Sequence, residues 1–243
     1  MPYSKPFPRI FLPQKNKSIM EADDFSSHPS YIDKRESTSL INAARIIIKD
    51  YKDLIDYIEP TNENKLVYSH RIYELLLRTA TEFEANCKGI LLANGYAIRR
   101  HFNIEDYHRL NVLMKLNQYE LTTQLWSPEK TISPLSEWGL GHTLRWYQAY
   151  NNVKHNRYTS FHEATLENLF NGICCLITIL AAQFPKSIGY IDGSGIIMTA
   201  DNDNEILISD FAIKYPLFTD DEKYEFDWDT LKNDLQPFNL HAF

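Results

Sequence analysis

The sequence predicts a mainly α protein, a helical bundle of four to five helices carrying a small C-terminal β-hairpin appendage. Three observations lead there. Apolar residues recur at three- and four-residue spacing through two long segments of the first hundred residues. The stretch from Leu169 to Phe184 is apolar on nearly every side, as a central bundle helix requires. Strand-like runs are found only after Pro185. With 243 residues, 44% of them hydrophobic, the chain can bury a sizeable core.

Residues 1–36 read as an extended N-terminal arm. Its five prolines break any periodicity, and Ile10, Phe11 and Leu12 require a surface to pack against. The bundle is expected over 37–186. "STSLINAARIIIKDYKDLIDYIEP" is a helix, with Leu40, Ala43, Ala44, Ile47, Tyr51, Leu54 and Ile58 on one stripe and Pro60 just past its end. A longer helix runs from about Asn64 to Ala93, where Asn94-Gly95 supplies a left-handed stop. Asn103 is the N-cap of a third helix, with Asp106 in its first turn.

The proline- and tryptophan-containing stretch "LWSPEKTISPLSEWG" is too long for a tight turn and is expected to wrap the bundle. Residues 140–155 read as helix again. Ser160-x-x-Glu163 has the pattern of a capping box opening the apolar helix that stops before Pro185. Over 187–243, "GIIMTADNDNEILISDF" predicts a hairpin, followed by an acidic segment rich in aromatics.

Charge is unevenly spread over a net −7. Residues 201–235 hold 11 Asp or Glu against 3 Lys, a balance of −8, so the other residues sum to +1. Arginines and histidines concentrate between Arg99 and Arg157. The acidic total argues against nonspecific duplex binding but leaves room for a local basic cleft. No run of about 18 apolar residues is present, and prolines interrupt the first residues where a signal peptide needs a continuous helix. A cytoplasmic protein without membrane contact is expected. Cys87, Cys174 and Cys175 lie in apolar helical surroundings, which fits buried thiols in a reducing compartment.

The stretch "WYQAYNNVKHNRYTS" carries the candidate site. On a helix, Arg145, Gln148, Asn152 and His155 share one face, with Asn151 on the adjoining stripe, while Trp146, Tyr150 and Val153 form a core stripe. Lys154 and Arg157 bracket His155. A neutral imidazole beside cations suits general-base work on a hydroxyl next to a phosphate, the amides orienting the phosphate and the cations stabilising added negative charge. Those parts fit metal-independent RNA cleavage by the ribose 2′-hydroxyl. They equally fit a capped helix end, with the basic residues complementing the dipole.

The block "W…LRWYQAYNNVKHNR…F…AT…N", followed by an apolar helix, resembles the HEPN superfamily of helical-bundle proteins. That resemblance implies a metal-independent endoribonuclease of a toxin–antitoxin, CRISPR-associated or phage-defence system, or a non-catalytic HEPN-like interaction or regulatory module. The family pattern is Arg, a polar residue, about three variable residues, then His. His155 takes the histidine position, Asn151 the polar position, and Tyr150 the arginine position. The scissile phosphate would then be held by Lys154 or Arg157. Arg145, about 15 Å away along a continuous helix, would reach it only from a partner subunit or across a bend. The resemblance thus assigns His155, Arg157 and Lys154 to catalysis and Asn151, Asn152 and Arg145 to RNA or phosphate. It also implies a homodimer, or pairing with a second HEPN-like chain.

Other motifs are weaker. Glu82 and Glu84, two apart, do not share a helix face. His101/His108 and His155/His162 are each seven apart with no third ligand at metal spacing. Neither a metal nor another cofactor is therefore expected. Gly193 and Gly195 in "IDGSGI" are too few for a phosphate loop and read as a turn.

Overall fold

The computed structural model describes residues 1–97, 101–199 and 204–243, so Arg99 lies outside the described residues. Two long helices open the fold. α1 spans Lys34–Ile55, and its N-cap Asp33 accepts a hydrogen bond from the Arg35 amide. α2 spans His70–Ala93, capped by Ser69, whose side chain accepts from the Ile72 amide. Each is shorter at one end than its periodicity suggests, because turns occupy 56–69. α2 stops at Asn94, and Gly95 adopts φ +79°, the left-handed stop expected there.

Two short helices follow, α3 (Ile104–His108) and α4 (Leu110–Met114). Asn103 caps α3 in a full capping box with Asp106. The chain then forms β1 (Glu120–Thr123) and β2 (Lys130–Ile132), α5 (Ser136–Gly139), α6 (Arg145–His155) and α7 (Arg157–Ser160). The central helix α8 spans Leu166–Ala181, and the chain is buried without a break from Gly172 to Ala181. Its cap is Thr165, which accepts from the Asn168 amide. Ser160 closes α7 instead of opening α8, so the capping box expected at Ser160/Glu163 does not form.

After α8 come β3 (Met198–Thr199), β4 (Glu205–Ile208), β5 (Phe211–Lys214) and α9 (Trp228–Leu231). Here the expected fold class is corrected. The strands make one five-stranded antiparallel sheet in the order β2-β1-β5-β4-β3, so the architecture is mixed α+β and not a four- to five-helix bundle with a hairpin appended. The stretch read as a wrapping connection supplies β2, and β1 lies just ahead of it. Leu121 pairs with Ile132 on one side and Ile213 on the other. Leu121, Thr123, Ile206, Ile208, Phe211 and Ile213 are buried, the single inward face that a period-two alternation produces.

The N-terminal residues are part of this core. Ile10 and Leu12 are fully buried, and the Phe11 amide donates to the Ala182 carbonyl at 3.0 Å. Tyr3 and Gln14 each bridge to Tyr224 of the acidic C-terminal segment. The buried Tyr224 hydroxyl accepts from the Phe7 amide and donates to the Ile10 carbonyl. No helix of the described residues is long and apolar enough to cross a membrane.

Candidate functional site

α6 is amphipathic as its spacing requires. Trp146, Tyr147, Ala149, Tyr150 and Val153 are buried, while Arg145, Gln148, Asn152 and His155 are exposed. The buried stripe docks α6 onto α8, where the Trp146 indole N–H meets Cys175 Sγ at 3.1 Å. Phe83 of α2 meets the same indole edge-on, with ring centroids 5.4 Å apart. α6 is therefore held rigidly from behind and presents a fixed polar face.

At the start of that face, Glu137 accepts from the Arg145 amide at 2.9 Å and pairs with its guanidinium at 3.1 Å. A carboxylate at a helix N-terminus is favoured by the dipole. Arg145 is thus occupied at the far end of α6 and does not join the His155 neighbourhood.

His155 is the last residue of α6 and is exposed. Its ring makes no hydrogen bond, ion pair or ring contact with any described residue. The two cations flanking it in sequence are bound elsewhere. Lys154 Nζ donates to the Tyr150 hydroxyl at 2.8 Å and lies 4.9 Å from the centre of that ring. The bond to Tyr150 raises the ammonium above its ordinary pKa. Behind Tyr150, the Tyr147 hydroxyl donates to Glu84 Oε1 at 2.7 Å. Burial, with Glu84 adding to it, holds the Tyr147 phenol protonated far above its usual range. Lys154 is the outer member of a partly buried phenol–carboxylate network.

Arg157, in the first turn of α7, faces α2. Its Nη2 donates to His70 Nδ1 at 3.1 Å. A guanidinium can only donate, so Nδ1 is the acceptor and the His70 ring proton sits on Nε2. The guanidinium also lies 5.1 Å from the centre of the Tyr73 ring and 5.6 Å from that of Phe161. His70, Tyr68 and Tyr73 all pack on Phe161. This corner is a cation over an aromatic cluster that is open to solvent on one side, with Tyr68 half exposed and Tyr158, the next residue in the chain after Arg157, 97% exposed.

Of the two amides, Asn152 donates to Glu163 Oε2 at 2.7 Å, and Asn151 is partly exposed with no side-chain bond to a described residue. The structure therefore brings His155, Asn151 and Asn152 to one helix end, sends Lys154 and Arg157 away in two directions, and leaves Arg145 at the other end. His70, Tyr73 and Phe161 were not among the sequence candidates. Arg157 and His70 stand 87 residues apart, and no local pattern links them. Glu84 engages Tyr147. The Lys154–Tyr150 bond carries the one readable signal, a spacing of i to i+4 on a helix.

Concave surface of good size lies elsewhere. A groove of 810 Å³ runs between α1 and α2, and a recess of 270 Å³ lies beside Trp138 and His142. His155 lines neither. Among the described residues no group of His, Cys, Asp and Glu gathers as a metal cluster. His108 instead bonds the Trp138 carbonyl at 2.9 Å. The three cysteines are buried, and burial raises each thiol. No protein-family model, curated protein or solved structure matches the chain.

Proposed function

We propose that this protein is a non-catalytic RNA-binding module, in which the α6–α7 corner holds single-stranded RNA without cutting it. The observation that supports this reading is the divergence of the two cations around His155. Phosphoryl transfer needs donors that converge on one phosphate oxygen while a base reaches the attacking hydroxyl. Here Lys154 is drawn back onto Tyr150, Arg157 lies over Tyr73 and Phe161, and an unpartnered imidazole stands between them. Such a surface asks less of geometry for binding than for chemistry. Cations track the phosphates, and exposed ring faces such as Tyr68 and Tyr158 stack with bases. The HEPN-like spacing of Asn151 and His155 is, on this reading, kept for contact rather than catalysis, and Tyr150 in the arginine position fits that.

The test is fluorescence anisotropy of a labelled single-stranded RNA with the full chain, together with gel analysis of the same RNA in EDTA. Binding is expected to weaken with salt, and Arg157→Ala is expected to lower affinity about tenfold and to flatten the salt slope by about 0.7. The RNA is expected to remain intact. RNA cleavage that His155→Ala abolishes would return the ribonuclease reading, and absence of binding at low salt would remove RNA altogether.

A further inference from the structure

The groove between α1 and α2 lies apart from the α6–α7 corner. Its 810 Å³ section is floored by Leu54, Leu75 and Leu77, and a contiguous 330 Å³ section adds Ile46 and Ile47, the two sections sharing Leu77 and Arg78. Ile46 is 44% exposed at its edge.

Five carboxylates line this apolar floor. Three of them are already neutralised: Asp50 by Arg78, Asp53 by Lys49 and Glu74 by Arg71. The other two, Asp56 and Glu82, make no hydrogen bond or ion pair through their carboxylates with any described residue. They stand at opposite ends. Glu82 borders the section that Ala43 lines, and Asp56 follows the end of α1. Thirteen positions separate Ala43 from Asp56, about 20 Å of helix. Glu82 is also only partly solvated, and burial raises its carboxyl above the ordinary range. A half-buried carboxylate without a counter-ion is costly, and a cation brought against it recovers that cost.

We infer that the α1–α2 groove docks a basic amphipathic helix of a partner protein. An apolar stripe on that helix packs on Ile46, Leu54 and Leu77, and basic residues about three to four turns apart meet Asp56 and Glu82. The charge pattern selects this occupant. The uncompensated charge is acidic, sits at the two ends, and is separated by an apolar floor of helical length. A helix laid between two helices also satisfies ordinary ridge-and-groove packing.

The probe is a labelled helix-forming peptide with a leucine stripe and lysines about 13 positions apart, titrated into the full chain by anisotropy. Its control carries glutamates in place of those lysines. The lysine peptide is expected to bind, the control to bind at least about tenfold more weakly. The double variant Glu82→Gln/Asp56→Asn is expected to lose about tenfold for the lysine peptide and to tighten the glutamate control, whose like-charge repulsion it removes. Ile46→Lys, on the exposed edge, removes binding while circular dichroism stays that of the parent. Equal binding of both peptides, or an unchanged affinity in the double variant, overturns the inference. So does a concentration-dependent dimer that Ile46→Lys dissociates, since the occupant would then be a second copy. RNA affinity is measured on the same variants. Its retention separates the fate of this groove from that of the α6–α7 surface.

Discussion

Arg9 and Arg157 are both arginines held by side chains from distant parts of the chain, yet they do opposite things. Arg9 is 3% exposed. Its Nε donates to Gln183 Oε1 at 3.0 Å and its Nη1 to Glu36 Oε1 at 2.8 Å. Gln183 in turn donates to Asn86 Oδ1 at 2.9 Å. The arm, α1, α2 and the end of α8 are thereby tied by one guanidinium, and burial lowers its pKa. Arg157 is exposed and rests on rings. A buried cation is spent on the fold, because leaving its partners unpaired is expensive. An exposed one laid on aromatics keeps donors free for a ligand.

The largest expected effect falls on the buried side. Gly89 of α2 passes directly under the Arg9 guanidinium, and a Cβ there would overlap Nη1 and Cζ. Gly89→Ala therefore forces the guanidinium off Gln183 and Glu36. A loss of about 3 kcal/mol in urea unfolding is expected, the range found when a buried charge loses its partners. Arg157→Ala is expected to change stability by no more than about 0.5 kcal/mol, as for an ordinary surface site. Similar losses in the two variants would break the comparison.

A second experiment sharpens the contrast within the corner itself. Lys154 and Arg157 lie on either side of His155 in sequence, but only Arg157 faces an open aromatic surface. Arg157→Ala is expected to weaken RNA binding about tenfold, or about 1.4 kcal/mol. Lys154→Ala is expected to change it by less than about threefold, because Nζ is already held by Tyr150. Equal losses would mean that Lys154 leaves the phenol to reach the ligand. Tyr150→Phe removes that hydroxyl, and about 1 kcal/mol of stability is expected to go with it.

The two regions also differ in how far they could be read in advance. The long helices were legible because a 3.6-residue period persists over five or more turns in α1 and α2. Asn103 and the Asn94-Gly95 stop were legible because capping is local chemistry. The sheet was not. β1 and β2 hold four and three residues, too few for alternation to stand out. Leu121 meets Ile213 across 92 positions, and only tertiary contact makes that pairing. At the α6 end, the split between buried Trp146 and Tyr150 and exposed Arg145, Gln148 and Asn152 could be seen in the spacing. The direction of Arg157 could not, because Tyr73 and His70 come from another helix. The Arg9 cluster left no trace in the sequence for the same reason, Arg9, Glu36, Asn86 and Gln183 being drawn from four separate segments.

The Lys115–Glu222 pair lies between the two extremes and predicts the smallest effect. Lys115 Nζ donates to Glu222 Oε2 at 2.7 Å. The Glu222 carboxylate also accepts from the Thr219 amide and hydroxyl. The bond from Lys115, followed by the Thr219 amide, lowers the Glu222 carboxyl from 4.5 to about 2. A carboxyl whose folded value is depressed binds its proton more readily when unfolded. Its contribution is then fully present above about 4.5 and is lost as the pH falls toward 2. Glu222→Gln should therefore lower stability slightly at pH 7, and the difference from the parent should shrink steadily through that window. The pair is solvated, so the effect should also weaken in high salt, where the Arg9 cluster should hardly respond. A Glu222→Gln difference that is flat from pH 7 to pH 2 would mean that the pair holds no more than surface proximity. The ranking of cations by burial would then rest on Arg9 and Arg157 alone.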